Sequence, residues 1–130
     1  MTEATKNLAL EIVEAARSRK AEDVVLMEIM ALVDYTDYLV ICSGRSDRQV
    51  GAIADAIEEA MSTRGVHPLG VEGLRARRWV LLDFGEVVVH VFHEETREVY
   101  DLERLWYDAP RVTLPEERIE RREAVAALLL

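Results

Sequence analysis

Trp79-Val80-Leu81-Leu82-Asp83-Phe84-Gly85-Glu86-Val87-Val88-Val89-His90-Val91-Phe92-His93 is the stretch that decides the fold. Gly85-Glu86 separates two β-rich segments, 79–84 and 87–93, a spacing that predicts a tight hairpin. In the second segment both side-chain parities are apolar. Val87, Val89 and Val91 fall on one, Val88 and Phe92 on the other. A strand apolar on both faces is usually central, with something packed above and below it. The rest of the chain must supply those layers.

Working upstream, Ser46 and Gln49 have the spacing of a capping box, which satisfies orphan amides at a helix start. Val50, Ile53, Ala54, Ile57 and Met61 then form one apolar stripe, and Gly65 is a natural terminator. The apolar run 38–43 follows a polar corner at Asp34 to Asp37, and a second run covers 24–30. The link between these runs is shorter than the dozen residues a parallel crossover needs, so the pair is expected to be antiparallel. Leu8, Ile12 and Ala16 fall four apart and predict an amphipathic helix of roughly four turns. Gly70 and Gly73 bracket a short segment readable as strand or loop. Downstream, Val99, Leu102 and Trp106 predict a short helix packing back onto the sheet. The expected fold is α/β: a mixed sheet of about five strands with helices on both faces. Residues 1–110 read as one domain. Residues 111–130, punctuated by Pro110 and Pro115 and rich in Glu and Arg, read as a charged C-terminal tail.

Composition narrows the function. The chain has 130 residues, half of them apolar, enough for a single core. Sixteen basic against 25 acidic residues give a net charge of −9. That balance argues against a nucleic-acid binder, whose footprint is normally basic, and permits steering toward a basic protein. The longest apolar run, 124–130, is too short to span a bilayer. Glu11 and Glu14 interrupt any signal-peptide core near the start. A lone Cys42 forms no internal disulfide, so a cytoplasmic setting is expected.

Catalytic chemistry finds little support. His90 and His93, three apart on a strand, point to opposite faces, and His67 lies in a connector, so no metal or cofactor site is expected. Ser46 after Gly44 has half of a nucleophile elbow, but Arg48 stands where the second glycine belongs. A helix cap explains Ser46 better. Arg45 and Arg48 beside that helix start form only a weak anion site. A nucleotidyltransferase, or another nucleotide-binding protein, is the enzymatic alternative. It needs clustered carboxylates for magnesium, yet Asp83 is the one acid within 79–84 and 87–93 contributes none. Asp34 and Asp37 suit a turn. Surface recognition is left. Trp79, Tyr100, Trp106 and Tyr107, with Leu102 and Leu105, are the residue types that anchor protein interfaces. Burial in the core is the competing reading for each tryptophan.

Several runs, taken together and in order, resemble the ribosomal silencing factor family, also called Iojap-like. They are Asp37-Tyr38-Leu39-Val40-Ile41-Cys42-Ser43-Gly44 with Ser46 to Asp55, Gly70-Val71-Glu72-Gly73, Trp79 to Gly85, Val88 to Phe92, and Tyr100-Asp101-Leu102-Glu103-Arg104-Leu105-Trp106. The resemblance covers roughly residues 5–110. It implies a nucleotidyltransferase-like fold without catalytic residues. It also implies binding to the large ribosomal subunit at ribosomal protein fourteen, blocking its joining with the small subunit and repressing translation. Homodimers are implied as well. By position Trp79 matches the family's ribosome-contacting tryptophan, and Tyr100, Asp101, Leu102, Glu103, Leu105 and Trp106 match its C-terminal signature.

The missing carboxylate partner for Asp83 generates a first prediction. The protein should neither hydrolyse nor transfer nucleotides. Magnesium-dependent turnover of ATP or CTP that disappears in Asp83→Asn would overturn it.

Overall fold

The computed structural model describes residues 3–115 and 125–129. Along the chain come α1 (Glu3–Ser18), β1 (Glu22–Glu28), β2 (Tyr38–Gly44), α2 (Asp47–Ser62), β3 (Gly70–Glu72), β4 (Trp79–Asp83), β5 (Val87–His93) and α3 (Glu94–Tyr100). A 3-10 helix over Leu102–Trp106 follows. The strands form one mixed sheet in the order β1-β2-β5-β4-β3. As the doubly apolar pattern requires, β5 is central and buried at every position. So is β2, its parallel neighbour. The short link between β1 and β2 gives the expected antiparallel pair.

The β4–β5 hairpin pairs Trp79 with Phe92 and Asp83 with Val88. Gly85 turns the chain at a φ of 85°, where a side chain is disfavoured. The Asp83 carboxylate accepts the Gly85 N–H at 2.8 Å. That acid is a turn-former here.

Alternation sorts the side chains into two cores. On one face Val40, Cys42, Val89 and Val91 pack with Ile12 of α1 and with Ile53, Ile57 and Met61 of α2. Each fully buried aliphatic side chain is worth roughly 1.5–3 kcal/mol, so both long helices are held by their apolar stripes. On the other face Met27, Leu39, Ile41, Val88 and Phe92 are roofed by Leu102, Trp106, Val33 and Ala109. Helical structure therefore covers both faces, but unequally. Two long helices share one side, and a 3-10 turn with loop segments covers the other.

Ser46 caps α2 as expected, accepting the Gln49 N–H. The Gln49 side chain does more than a capping box asks. Its Oε1 accepts from Arg45 N–H, and its Nε2 donates to the Arg19 and Lys20 carbonyls beyond the end of α1. At the far end the Val66 N–H reaches the Met61 carbonyl across Gly65, which has a φ of 74°. This is the glycine stop read from the sequence.

The chain does not leave the sheet at Pro110. The Glu28 N–H donates to the Pro110 carbonyl, Arg111 bridges Met27, and the Val112 N–H donates to the Leu26 carbonyl. This strap covers the outer edge of β1, and Leu114 is fully buried in the helical core. The packed unit thus extends past the boundary drawn at 110. Residues 116–124 and 130 of the expected tail lie outside the described residues, while 125–129 are helical and exposed.

Gly73 seats the start of β4. Its φ is 88°, and a Cβ there would lie 1.9 Å from the Trp79 carbonyl oxygen. Gly73→Ala should therefore lower stability by at least about 2 kcal/mol, since left-handed backbone alone costs roughly 1–2 kcal/mol. Gly70→Ala has open space and should be near neutral. Thermal melting of the two variants checks this, with Gly73→Ala expected to melt several degrees lower.

Candidate functional site

Trp79 opens β4 on the thinly covered face. Cross-strand pairing places it opposite Phe92, and the two rings stack with centroids 4.8 Å apart and planes 29° apart. Tyr100 closes on the indole from the end of α3, also at 4.8 Å. His90, two residues before Phe92 on the same side of β5, accepts the indole N–H on Nδ1 at 2.9 Å. Trp79 is partly buried, so it is neither a free surface ring nor a closed core ring. Burial lowers the His90 pKa from 6.5 to about 4. The imidazole is therefore neutral near pH 7, leaving Nδ1 free to accept.

His93 is used differently. Its Nδ1 accepts the Glu95 N–H at 3.3 Å and caps α3. Among the described residues no cluster of His, Cys, Asp or Glu is arranged to hold a metal ion. Cys42 is buried, and desolvation pushes its thiol up to about 12 against the opposing charge of Arg97, which leaves it an unreactive core residue. Arg45 is paired with Glu22 at 2.8 Å.

The segment 100–106 divides by direction. Tyr100 is 59% exposed and Leu105 70%, so both face solvent, as does neighbouring Tyr107. Leu102 and Trp106 turn inward and pack under the sheet. Asp101 sets this division through its backbone. With a φ of 45° it closes α3 by donating its N–H to the Arg97 carbonyl, and its own carbonyl accepts from Arg104 as the 3-10 helix begins. Glu103 points at Arg97 and pairs with it at 2.9 Å. Burial alone would raise the Glu103 carboxyl, but the hydrogen bond and charge of Arg97 outweigh it and hold the pKa below its ordinary range.

Arg97 was not among the residues singled out from the sequence, yet it organises this corner. Beyond Glu103 it donates to the Asp23 carbonyl at 2.7 Å and to Ser43 Oγ at 2.8 Å. It thereby ties α3 and the 3-10 helix to β1 and β2. A lone arginine in the acidic run Glu94-Glu95-Thr96-Arg97-Glu98 was the available signal. Beside it opens a groove lined by Asp23, Glu94, Glu98 and Asp101, with Arg111 also on its wall.

The arrangement offers aromatic and aliphatic side chains next to exposed acids, which is equipment for docking. A family model described as ribosomal silencing factor during starvation matches residues 2–127, running past the Pro110 limit of the resemblance noted above. The chain is 43% identical over 102 residues to a ribosomal silencing factor of Halalkalibacterium halodurans, spanning 78% of this chain and 87% of that relative. It is 35% identical over 98 residues to a Mus musculus protein named for mitochondrial assembly of the ribosomal large subunit, covering 73% of this chain and 43% of that one. A crystal structure from Bacillus halodurans superposes with a TM-score of 0.76 at 39% identity, covering 84% of this chain and 99% of the other. Matched over nearly its whole length, and at well above 30% identity to a named member, the chain belongs to the ribosomal silencing factor family.

Proposed function

We propose that this protein binds the large ribosomal subunit at ribosomal protein fourteen and blocks joining with the small subunit, repressing translation in the cytoplasm without catalysis. The observation that carries this reading is the exposed set Val99, Tyr100, Leu105 and Tyr107, with the partly buried Trp79 against Tyr100. Large exposed aromatics are the residue type from which interface hot spots are made. Their surroundings favour a basic protein as partner. The helix that carries Val99 and Tyr100 also exposes Glu94, Glu95 and Glu98, and the net charge of −9 extends that field. Ribosomal RNA is repelled by the same charge, so docking on protein is favoured over docking on nucleic acid. Blocking subunit joining requires only affinity and bulk. The name of the mouse relative supports the large subunit as target. Homodimer formation belongs to the same reading, since exposed apolar side chains offer area for self-association.

Two measurements test it. Tyr100→Ala should weaken large-subunit binding by about 2 kcal/mol or more, roughly 30-fold, with little change in melting temperature because the ring is mostly exposed. Trp79→Ala should lose affinity and also stability, because its ring is stacked on Phe92. Co-sedimentation with large subunits and thermal melting of both variants separate the effects. Normal binding by folded Tyr100→Ala and by the folded fraction of Trp79→Ala would remove this surface from the site. Salt supplies the second test. Raising ionic strength should slow association more than it speeds dissociation, because exposed charges are screened within about 8–10 Å. An association rate indifferent to salt would leave the acidity as a solubility feature.

A further inference from the structure

We infer that His90 is a positioning residue for Trp79: its Nδ1 fixes the indole in the orientation that presents the ring, with Tyr100, to the partner. The inference deepens the proposed function and rests on its reading of Trp79 as part of the docking surface.

Among the described residues the indole meets three other rings, and they constrain it differently. Phe92 stacks below it and Tyr100 leans on it, both at 4.8 Å. Ring contacts of this kind tolerate sliding, in-plane rotation and a flip of the indole, since a π-face has no single donor direction. The bond from Trp79 Nε1 to His90 Nδ1, 2.9 Å long, is directional. It distinguishes one edge of the indole from the other. Without it the N–H of a partly exposed ring would turn toward water, and the outward edge would change.

The choice of residue points the same way. Along β5 the other positions from Val87 to Phe92 are four valines and a phenylalanine, and the strand is buried throughout. A polar imidazole is costly in such a place unless it is bonded, so simple filling of the core would favour another aliphatic side chain. On Leu81, its direct partner across the β4 pair, His90 finds no polar group. The hydrogen bond instead runs diagonally to Trp79, joining a rigid central strand to the ring at the solvent boundary. Groups held by a packed element are the ones that preorganise a binding side chain.

The test uses the full chain labelled with 15N at its two tryptophans, the Trp79 signal assigned by its loss in Trp79→Phe. In His90→Leu, which keeps bulk and removes the acceptor, the Trp79 indole N–H should shift and exchange faster with solvent. Large-subunit binding by the folded fraction should weaken about tenfold, the scale of one lost hydrogen bond. His90→Asn places an acceptor at the same δ position and should recover part of both. In a Trp79→Phe background, His90→Leu should weaken binding no further, because its route of action is already gone. An unchanged indole signal in His90→Leu, or a freed indole with unchanged affinity, would overturn the positioning role while Trp79→Ala still binds poorly. Full binding by the folded Trp79→Ala variant would instead defeat the docking surface, and this inference with it.

Discussion

A parallel strand pair buried on both faces is the constraint on which the rest of the molecule depends. Every residue of β2 and β5 is buried, so each side of the sheet must be covered by other parts of the chain. The chain meets the two demands with different material. One side receives α1 and α2, sixteen residues each, whose apolar stripes close a large continuous core. The other receives a five-residue 3-10 helix, the loop around Val33 and the turn at Ala109. That is cover enough to keep Met27, Ile41 and Phe92 dry, but not enough to enclose the aromatic residues at its margin. Rings left half-covered at the border of a rigid sheet combine firm support with an accessible edge. The docking chemistry proposed for this protein sits at that border.

The corner held by Arg97 follows from the same economy of cover. A short 3-10 helix buries too little area to fix its own position. Arg97, whose side chain is only 11% exposed, supplies directional bonds in place of area, reaching Glu103, Ser43 and the Asp23 carbonyl. Removing one partner of a largely buried pair is typically far more damaging than the pair is stabilising. Arg97 and Glu103 are thus best understood as fixing one geometry for the segment 100–106. With that geometry set, Tyr100 and Leu105 face outward while Leu102 and Trp106 face inward.

Much of the fold was legible because its signals are periodic. The double parity of β5 placed it at the centre, the short β1–β2 link fixed their direction, and the helical stripe from Val50 to Met61 identified α2. Other features left no periodic trace. The strap through Arg111 and Val112 is a few residues between two prolines, too short to show alternation, yet it covers an edge that would otherwise stay open. Leu114 looks like part of a polar tail until its burial is seen. The resemblance named the segment 100–106 but not its inward and outward members. That division depends on the positive φ of Asp101, a conformation that asparagine and aspartate adopt more readily than most residues but that spacing alone does not announce. Arg97 was missed because a lone arginine in an acidic run marks its position without separating a buried side chain from a solvated one.

The opposition between core and surface does not fit Trp79. Read from the sequence, the residue had to be one or the other. In the structure its ring stacks on Phe92 of the second core and yet stays partly exposed, beside the exposed Tyr100. This has an energetic consequence for the proposed docking. A ring already ordered by stacking and by a hydrogen bond loses little conformational freedom when a partner closes over it, whereas a fully exposed side chain would forfeit about 0.5–1.5 kcal/mol. Part of the ordering cost has been met during folding, by the same contacts that stabilise the thinly covered face. In the proposed docking, stability and affinity are therefore coupled at this residue. A variant that loosens the second core should loosen the docking edge as well, even where it touches no partner.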